Sequence, residues 1–162
     1  MKKLYGFAFG TLLLDQIVKN LLLFFMNYGQ SISVIKGFFN ITLVGNTGAA
    51  FSILSSNTIL LIVISLAVLN IIYFFFIKGK KLTVFEQVSY GLLVGGIMGN
   101  LVDRVVHMQV IDYLDFNIFG YNFPIFNLAD IAIVVSMILI AIQVIKGDKD
   151  GVSSKTKWYK IR

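Results

Sequence analysis

Two aspartates, Asp112 and Asp130, are the residues best suited to acid–base chemistry in this 162-residue chain. No basic residue lies near either of them in the sequence. Two carboxyl groups that share a site cannot both ionise easily, so one pKa rises and the other falls. One group then activates water as a general base while the other donates a proton. Asp115 is an alternative partner, and stabilisation of a helix N-terminus is the alternative role for Asp130.

Other polar side chains fall inside strongly apolar stretches, where a charge is costly and therefore indicates function. Asp15 and Lys19 are four residues apart and can pair on one face of a helix. Asn100, Asp103 and Arg104 share a helical face in the same way. The alternative is that both groups are structural, supplying ion pairs and hydrogen bonds between helices.

A short polar segment, Asn46-Thr47-Gly48-Ala49-Ala50-Phe51, precedes the second apolar stretch. Asn46 offers both a donor and an acceptor, and the small residues from Gly48 onward permit close backbone approach. A turn or a tight helix start would produce the same pattern. His107 is the single histidine and cysteine is absent, so thiolate chemistry is excluded and a zinc site would need almost only carboxylates.

Four apolar stretches must position these side chains, each long enough for the roughly 20 residues that cross a bilayer. They are Leu4–Met26, Ile59–Ile77, Val88–Val106 and Ile125–Ile145. Hydrophobic residues make up 57% of the chain and charged residues only 14%, which excludes a water-soluble domain. At a helical rise of about 1.5 Å per residue, Lys19, Asp103 and Asp130 come to one depth. The sequence therefore predicts a membrane α-helical protein, a four-transmembrane-helix bundle with a shared polar layer.

Basic residues cluster before the first apolar stretch, between the second and third, and after the fourth. By the positive-inside rule, both termini and the short middle loop are cytoplasmic, and the two longer loops face outward. The net charge of +6 is then a topology signal, so membrane lipids are expected partners and nucleic acid is not. Residues 1–146 are predicted to form one membrane domain, followed by a basic cytoplasmic tail at 147–162.

Both outward loops are rich in strand-forming residues. The predicted strands are Ile32–Val34 and Phe39–Val44 around a Lys36-Gly37 turn, and Phe116–Phe119 and Tyr121–Phe126 around Gly120. Residues 110–114 alternate as in a strand edge or a partly buried loop. These patterns predict a small extracytoplasmic β-layer on the membrane surface.

The polar segments resemble the motifs of the bacterial lipoprotein signal peptidases, also called signal peptidase II. Five motifs occur in family order over about residues 4–146: Asp15-Gln16-Ile17-Val18-Lys19, Asn46-Thr47-Gly48-Ala49-Ala50-Phe51, Gly99-Asn100-Leu101-Val102-Asp103-Arg104, Val110-Ile111-Asp112-Tyr113 and Phe126-Asn127-Leu128-Ala129-Asp130. Any one motif is modest evidence, whereas five in order are specific. One departure is that the family usually has a glycine shortly before its loop aspartate, where this chain has Met108-Gln109.

The resemblance implies an aspartic endopeptidase of the bacterial cytoplasmic membrane that cleaves prolipoproteins just before their diacylglyceryl-modified cysteine, near the outer face. Asp112 and Asp130 match the family's catalytic pair. The positions that match its supporting and substrate-binding shell are Asp15, Lys19, Asn46, Gly48, Asn100, Asp103, Arg104 and Asn127. The resemblance also implies an outer β-cradle, inhibition by the cyclic peptide globomycin, and no metal or organic cofactor. We expect a monomer.

Two alternatives from other classes stay open on the residues alone. The polar groups of the first and third spans could form the relay of a small transporter, although they gather at one level instead of threading the bilayer. They could also hold a partner helix in a scaffold without enzymatic activity. For a peptidase, the signal helix of the substrate is expected to enter beside the first, third and fourth spans.

Overall fold

The computed structural model describes residues 1–48 and 57–155, which form four helices and a small antiparallel sheet. The helices are α1 (Lys2–Phe25), α2 (Thr58–Ile71), α3 (Val84–His107) and α4 (Leu128–Lys155), and a π-helical segment (Ile72–Ile77) continues α2. The strands are β1 (Ser31–Ile35), β2 (Phe39–Asn46), β3 (Val110–Ile118) and β4 (Tyr121–Asn122). Because the strands follow α1 and α3 and precede α4, the sheet lies at one end of the bundle.

Helix α3 is the centre of the bundle. Ten of its residues are buried, and it packs along both α1 and α4. The outward surfaces of the other helices are apolar and exposed, as at Phe24, Ile59 and Val134. Apolar surface of this extent is stable against lipid and would be unstable against water.

Three described helices are long and apolar enough to cross a membrane: Lys2–Phe25, Thr58–Ile77 and Leu128–Ile145. The predicted span Val88–Val106 lies within α3, which is not one of the three. Its glycines and its inward-facing polar side chains, such as Asn100 and Asp103, lower the mean hydropathy of α3. The helices and the sheet give a membrane helical fold, and the fourth crossing stays a prediction.

Glycines of α3 allow the helices to approach closely. A Cβ atom on Gly95 would lie 2.6 Å from the carbonyl oxygen of Ala8 in α1. A Cβ atom on Gly96 would lie 2.6 Å from the carbonyl oxygen of Ala129 in α4. Both separations are too short for real atoms, so a larger residue at either position would push a neighbouring helix away.

The four strands form one antiparallel sheet in the order β1-β2-β3-β4. Both predicted strand pairs are present, and Gly37 and Gly120 take φ angles of 76° and 87° in the turns between them. Strand β3, which carries Asp112, lies between β2 and β4. Residues 110–114 are part of this strand and pair with β2, whereas β4 pairs only with Asn117 and Ile118, so of the two expectations for this segment the strand edge is the one found.

The predicted strand Tyr121–Phe126 is shorter than expected. Pairing with β3 stops at Asn122, and beyond it Phe126 forms an isolated bridge to Leu114. Pro124 has no N–H group to donate, so a continuous ladder through this segment is not possible.

A β-bulge in β2 changes which of its side chains share a face with β3. Phe39 pairs with Phe116 before the bulge, and Val44 pairs with Asp112 after it. The six residues 39–44 of β2 therefore lie opposite the five residues 112–116 of β3. Because side chains alternate along a strand, the bulge turns Asn46 to the same face as Asp112 while Phe39 stays on the face of Phe116.

The ends of α3 are set by two local devices. At its start, the Thr83 side chain accepts the N–H of Glu86, whose carboxylate accepts the N–H of Thr83. This capping box satisfies two otherwise free donors. At its end, Met108 adopts a left-handed conformation with φ 57°, which favours glycine. In the turn where the family usually has a glycine, this chain therefore has a methionine with a strained backbone.

Helix α4 begins at Leu128, three residues later than the predicted Ile125. Asn127 and Asp130 define this start, since the side chain of each accepts the backbone N–H of the other at 3.0 and 3.1 Å. The helix continues to Lys155, beyond the predicted span end at residue 145. Residues 156–162 of the predicted basic tail lie outside the described residues.

Candidate active site

Asp112 and Asp130 are held at the sheet end of the bundle by amide groups. Asp112 accepts hydrogen bonds from Asn46 Nδ2 at 2.9 Å and from Asn127 Nδ2 at 2.7 Å. Asp130 accepts from Asn100 Nδ2 at 2.7 Å and from the backbone N–H of Asn127 at 3.1 Å. Each of the four carboxylate oxygens therefore has its own donor, which fixes both side chains.

Asn100 and Asn127 connect the two acids. Asn127 Nδ2, which donates to Asp112, also donates to Asn100 Oδ1 at 3.0 Å. That oxygen accepts a second bond from Lys19 Nζ at 3.1 Å. Because the lysine can only donate, the Asn100 amide must turn its Nδ2 toward Asp130. A continuous chain of hydrogen bonds thus sets the relative position of the two carboxyl groups.

Lys19 is completely buried and lies between two carboxylates. Its Nζ is 2.8 Å from Asp15 and 2.7 Å from Asp103. Together with the bond to Asn100, these contacts use all three ammonium hydrogens. The predicted pairing of Asp15 with Lys19 is confirmed. Asp103 takes its cation from α1 and not from the adjacent Arg104, since neighbouring residues on a helix do not face each other.

The two carboxylates beside Lys19 also hold the backbone next to the site. Asp15 Oδ1 accepts the N–H of Ala129 at 3.0 Å, one residue before Asp130. Asp103 Oδ2 accepts the N–H of Ile111 at 3.1 Å, one residue before Asp112. Bonds to a charged acceptor are stronger than neutral ones. The cluster on α1 and α3 thereby positions α4 and β3.

Burial raises the pKa of Asp112 from 3.8 to about 6. The hydrogen bonds from Asn46 and Asn127 favour the ionised form and oppose this rise, while the negative charge of Asp130 adds to it. Burial has the largest effect, since Asp112 is only 3% exposed. A carboxyl group with this pKa can gain or lose a proton near neutral pH, as a general acid or base must.

Comparison with known proteins covers nearly the whole chain. Residues 7–146 match the family model described as signal peptidase (SPase) II. The chain belongs to the signal peptidase II family. It is 41% identical over 139 residues to the lipoprotein signal peptidase of Staphylococcus haemolyticus, covering 86% of this chain and 88% of that one. It is 39% identical over 150 residues to that of Staphylococcus aureus strain MRSA252, covering 93% and 92%.

Two solved structures, each described as a bacterial membrane enzyme, resemble the whole fold. One has a TM-score of 0.84 and 36% identity, covering 100% of this chain and 96% of the other. The second has a TM-score of 0.80 and 39% identity, covering 90% and 94%. The protein is therefore a bacterial membrane protease that removes signal peptides from prolipoproteins, and an aspartic mechanism follows from the family. The transporter and scaffold alternatives are set aside.

Both aspartates of the peptidase line a pocket of about 880 Å³. The sheet contributes Asn46 and Asp112, and α3 contributes Asn100 and Arg104. Helix α4 contributes Asp130 and an apolar stripe of Ile131, Val134 and Val135. Within the part of the chain that the structure describes, α1 contributes no residue to the lining of this pocket, and the expected entry of the signal helix beside the first span stays a prediction. Helix α1 supports the site through Asp15, which binds the start of α4, and Lys19, which binds α3.

Arg104 reaches across the pocket wall to the segment after β2. Its guanidinium donates to the carbonyl oxygens of Gly48 at 3.1 Å and Asn100 at 3.4 Å. Gly48 in turn donates its N–H to Asn46 Oδ1 at 2.9 Å, which orients the amide toward Asp112. The Nε of Arg104 is buried and has no partner among the described residues. Residues 49–51 of the same sequence motif lie outside the described part of the chain.

Asp115 is not a partner of either acid. It lies on β3, an odd number of residues from Asp112, so the two side chains point to opposite faces. Its carboxylate accepts from Thr42 Oγ1 at 2.6 Å and from Asn40 Nδ2 at 3.5 Å. His107 is exposed at the end of α3. Within residues 1–48 and 57–155, no cluster of three or more histidine or acidic side chains is arranged to hold a metal ion.

Gln16 is a site-supporting residue that the sequence reasoning did not single out. Its Nε2 donates to Asp103 Oδ1 at 2.8 Å and to the carbonyl oxygen of Gly99 at 3.2 Å. It therefore joins α1 to α3 beside the ion pairs of Lys19. The sequence feature that could have identified Gln16 is its amide group, which lies inside an apolar stretch next to Asp15.

Proposed function

We propose that Asp112 and Asp130 are the catalytic pair of this lipoprotein signal peptidase and that cleavage falls just before the diacylglyceryl-modified cysteine. The observation that carries the proposal is that both carboxyl groups line one pocket while Asn127 donates a hydrogen bond to each. Burial and the negative charge of Asp130 raise the pKa of Asp112, so Asp112 can exchange a proton near neutral pH.

The mechanism uses the two acids in opposite protonation states. The ionised carboxylate takes a proton from a water molecule, whose oxygen adds to the scissile carbonyl carbon. The protonated carboxyl group then gives its proton to the amine nitrogen as the carbon–nitrogen bond breaks. To Arg104, whose side chain lines the same pocket, we assign stabilisation of the negative charge on the carbonyl oxygen. Proton transfers by the two acids complete the reaction without a cofactor.

The apolar stripe of α4 suits the membrane-embedded part of the substrate. Ile131, Val134 and Val135 lie at i, i+3 and i+4 and so share one helical face. This face extends from Asp130 along α4, away from the sheet. We assign it to the signal helix and the acyl chains, which stay in the bilayer. Globomycin, which blocks the family, would compete for the same pocket.

We further propose that α3 is the fourth membrane span, with both termini cytoplasmic and the sheet on the outer face. Its 24 residues are long enough to cross, and Asn100 and Asp103 face the interior instead of lipid. The positions of the basic residues support this orientation. One chain supplies every group of the site from residues 1–146, which supports a single-domain peptidase that acts as a monomer.

The test is cleavage of a diacylglyceryl-modified prolipoprotein by purified protein, followed as a mobility shift on a gel. We expect Asp112→Asn and Asp130→Asn each to abolish cleavage while thermal unfolding in detergent stays cooperative. Asp115→Asn is the matched control, since it alters an acid of the same strand outside the pocket, and it should cleave normally. Turnover by either pocket variant would refute the assignment of the pair.

A further inference from the structure

Five phenylalanines form a continuous aromatic surface on the sheet, which we call the phenylalanine platform. Its members are Phe38, Phe39, Phe116, Phe123 and Phe126. The ring of Phe116 is central, with centroids 4.6 Å from Phe39, 5.6 Å from Phe38 and 5.8 Å from Phe126. Phe126 contacts Phe123 at 5.7 Å. These rings hold one another in place as a pre-formed surface.

The platform is accessible and does not belong to the interior. Phe38 and Phe123 are 46% and 42% exposed, and the other three rings are partly exposed. Aromatic pairs of this kind usually fill a core, where no area is left uncovered. Packed rings that keep a free face, contiguous with a pocket, mark a binding surface.

The platform continues directly from the catalytic pocket. Phe123 and Phe126 line that pocket. Phe116 lies four residues beyond Asp112 on β3, so the two side chains point to the same face of the sheet. At roughly 3.3 Å per residue, the platform centre lies about 13 Å from the aspartate along the strand.

A substrate chain continues on both sides of the bond that is cut. The apolar stripe of α4 leads away from Asp130 along the helix, and the platform leads away from Asp112 along the sheet. If the apolar stripe binds the signal helix, the platform is the surface that remains for the part of the substrate on the other side of the scissile bond. We propose that the platform binds the first residues of the mature lipoprotein beyond the modified cysteine; this inference depends on the proposed function.

The geometry sets the length and chemistry of the bound segment. About 13 Å corresponds to roughly four residues of extended chain. Flat rings pack against backbone and apolar side chains without requiring a particular sequence. The platform therefore acts as a subsite that recognises the length of the substrate segment after the cysteine and not its amino-acid sequence. Cleavage should be more efficient for substrates long enough to reach Phe38.

The experiment compares two synthetic diacylglyceryl-modified peptides in proteoliposomes, one ending at the amidated cysteine and one continuing for four uncharged residues. For each enzyme, the ratio of kcat/KM for the longer peptide to that for the shorter one is measured. This ratio cancels differences in the amount of folded enzyme. For the unmodified protein we expect a ratio of roughly three to ten, the range given by one or two aromatic contacts.

Phe116→Leu and Phe38→Ala should bring that ratio close to one. Phe119→Ala is the matched control, because Phe119 is fully exposed at the β3–β4 turn and lies outside the platform, and its ratio should equal that of the unmodified protein. A ratio of one in the unmodified protein, or an unchanged ratio in both platform variants, would overturn the proposal. Neither result would contradict the peptidase activity, because that activity would be refuted only if neither peptide were cleaved.

Discussion

Asp112 keeps a raised pKa although two amide groups donate to it, because burial outweighs both bonds. The hydrogen bond from Asn46 favours the ionised form, so its removal must raise the pKa of Asp112 further. An acid with a higher pKa holds its proton to higher pH. We therefore expect Asn46→Leu to move the acidic limb of the kcat/KM profile to higher pH.

The measurement is kcat/KM for a lipid-modified prolipoprotein across the pH range on either side of 6. Asn40→Leu serves as the control, since Asn40 lies on the same strand but donates to Asp115. Its profile should match that of the unmodified protein. An Asn46→Leu profile with an unmoved acidic limb would argue that Asp112 is not the carboxylate that must be ionised for the reaction.

Lys19 compensates two buried carboxylates, and its replacement leaves both without a cation. Lys19→Met should therefore lower the free energy of unfolding by about 3–5 kcal/mol, the usual effect of breaking a buried pair. Cleavage should fall as well, because Asp15 and Asp103 hold the residues before Asp130 and Asp112.

Thermal unfolding in detergent measures the loss for Lys19→Met. Lys36→Met removes an exposed lysine from the β1–β2 turn and should unfold at the same temperature as the unmodified protein. If the two variants were equally stable, Lys19 would not be the group that holds the site together.

Spacing along single helices was enough to predict several contacts at this scale. The four-residue spacing predicted the pair of Asp15 with Lys19, and counting helical rise brought Lys19, Asp103 and Asp130 to one level. The partner of Asp103 could not be predicted, since it depends on how α1 packs against α3. The contribution of Gln16 depends on the same packing.

At the level of elements, the distance between α3 and α4 depends on Gly96. A methyl group at this position would meet the carbonyl oxygen of Ala129, beside Asp130. Gly96→Ala should reduce stability by about 1–3 kcal/mol through overpacking and should lower kcat by displacing the start of α4.

Gly10→Ala is the matched control for this helix substitution. A Cβ atom on Gly10 would meet nothing within 4 Å, and alanine is the better helix former. Thermal unfolding and cleavage should therefore be unchanged or slightly improved. If Gly96→Ala behaved in the same way, close packing against α4 would not be what positions Asp130.

Strand composition and turn glycines were sufficient to predict where the sheet forms. They could not predict the bulge in β2, because it arises from pairing with β3, a segment about 70 residues away in the chain. Without that bulge Asn46 would face away from Asp112. The sequence could not predict the end of α3 either, because Met108 adopts a left-handed backbone conformation that methionine disfavours.

For the whole molecule, the proposed orientation can be tested directly because the chain contains no cysteine. Ser33→Cys on exposed β1 and Lys80→Cys in the loop before α3 each introduce a single thiol. In intact cells, a membrane-impermeant maleimide should label the first and spare the second.

Permeabilised cells provide the control, since both thiols should then react equally. Labelling of Lys80→Cys alone in intact cells would mean that the orientation is the reverse, and labelling of both would mean that α2 does not cross the membrane. Active Ser33→Cys and Lys80→Cys proteins would show that neither substitution disturbs the fold.

The capping box of Thr83 and Glu86 has a consequence for how the protein could be assembled. Helix α3 is started by its own residues, so it does not need a covalent link to α2. A cut in the loop at residues 78–82 would divide the acids and amides of the site between two pairs of helices, α1 with α2 and α3 with α4. Such halves, co-expressed as separate polypeptides, meet the conditions for fragment complementation and would turn the peptidase into a reporter of whether two membrane proteins meet.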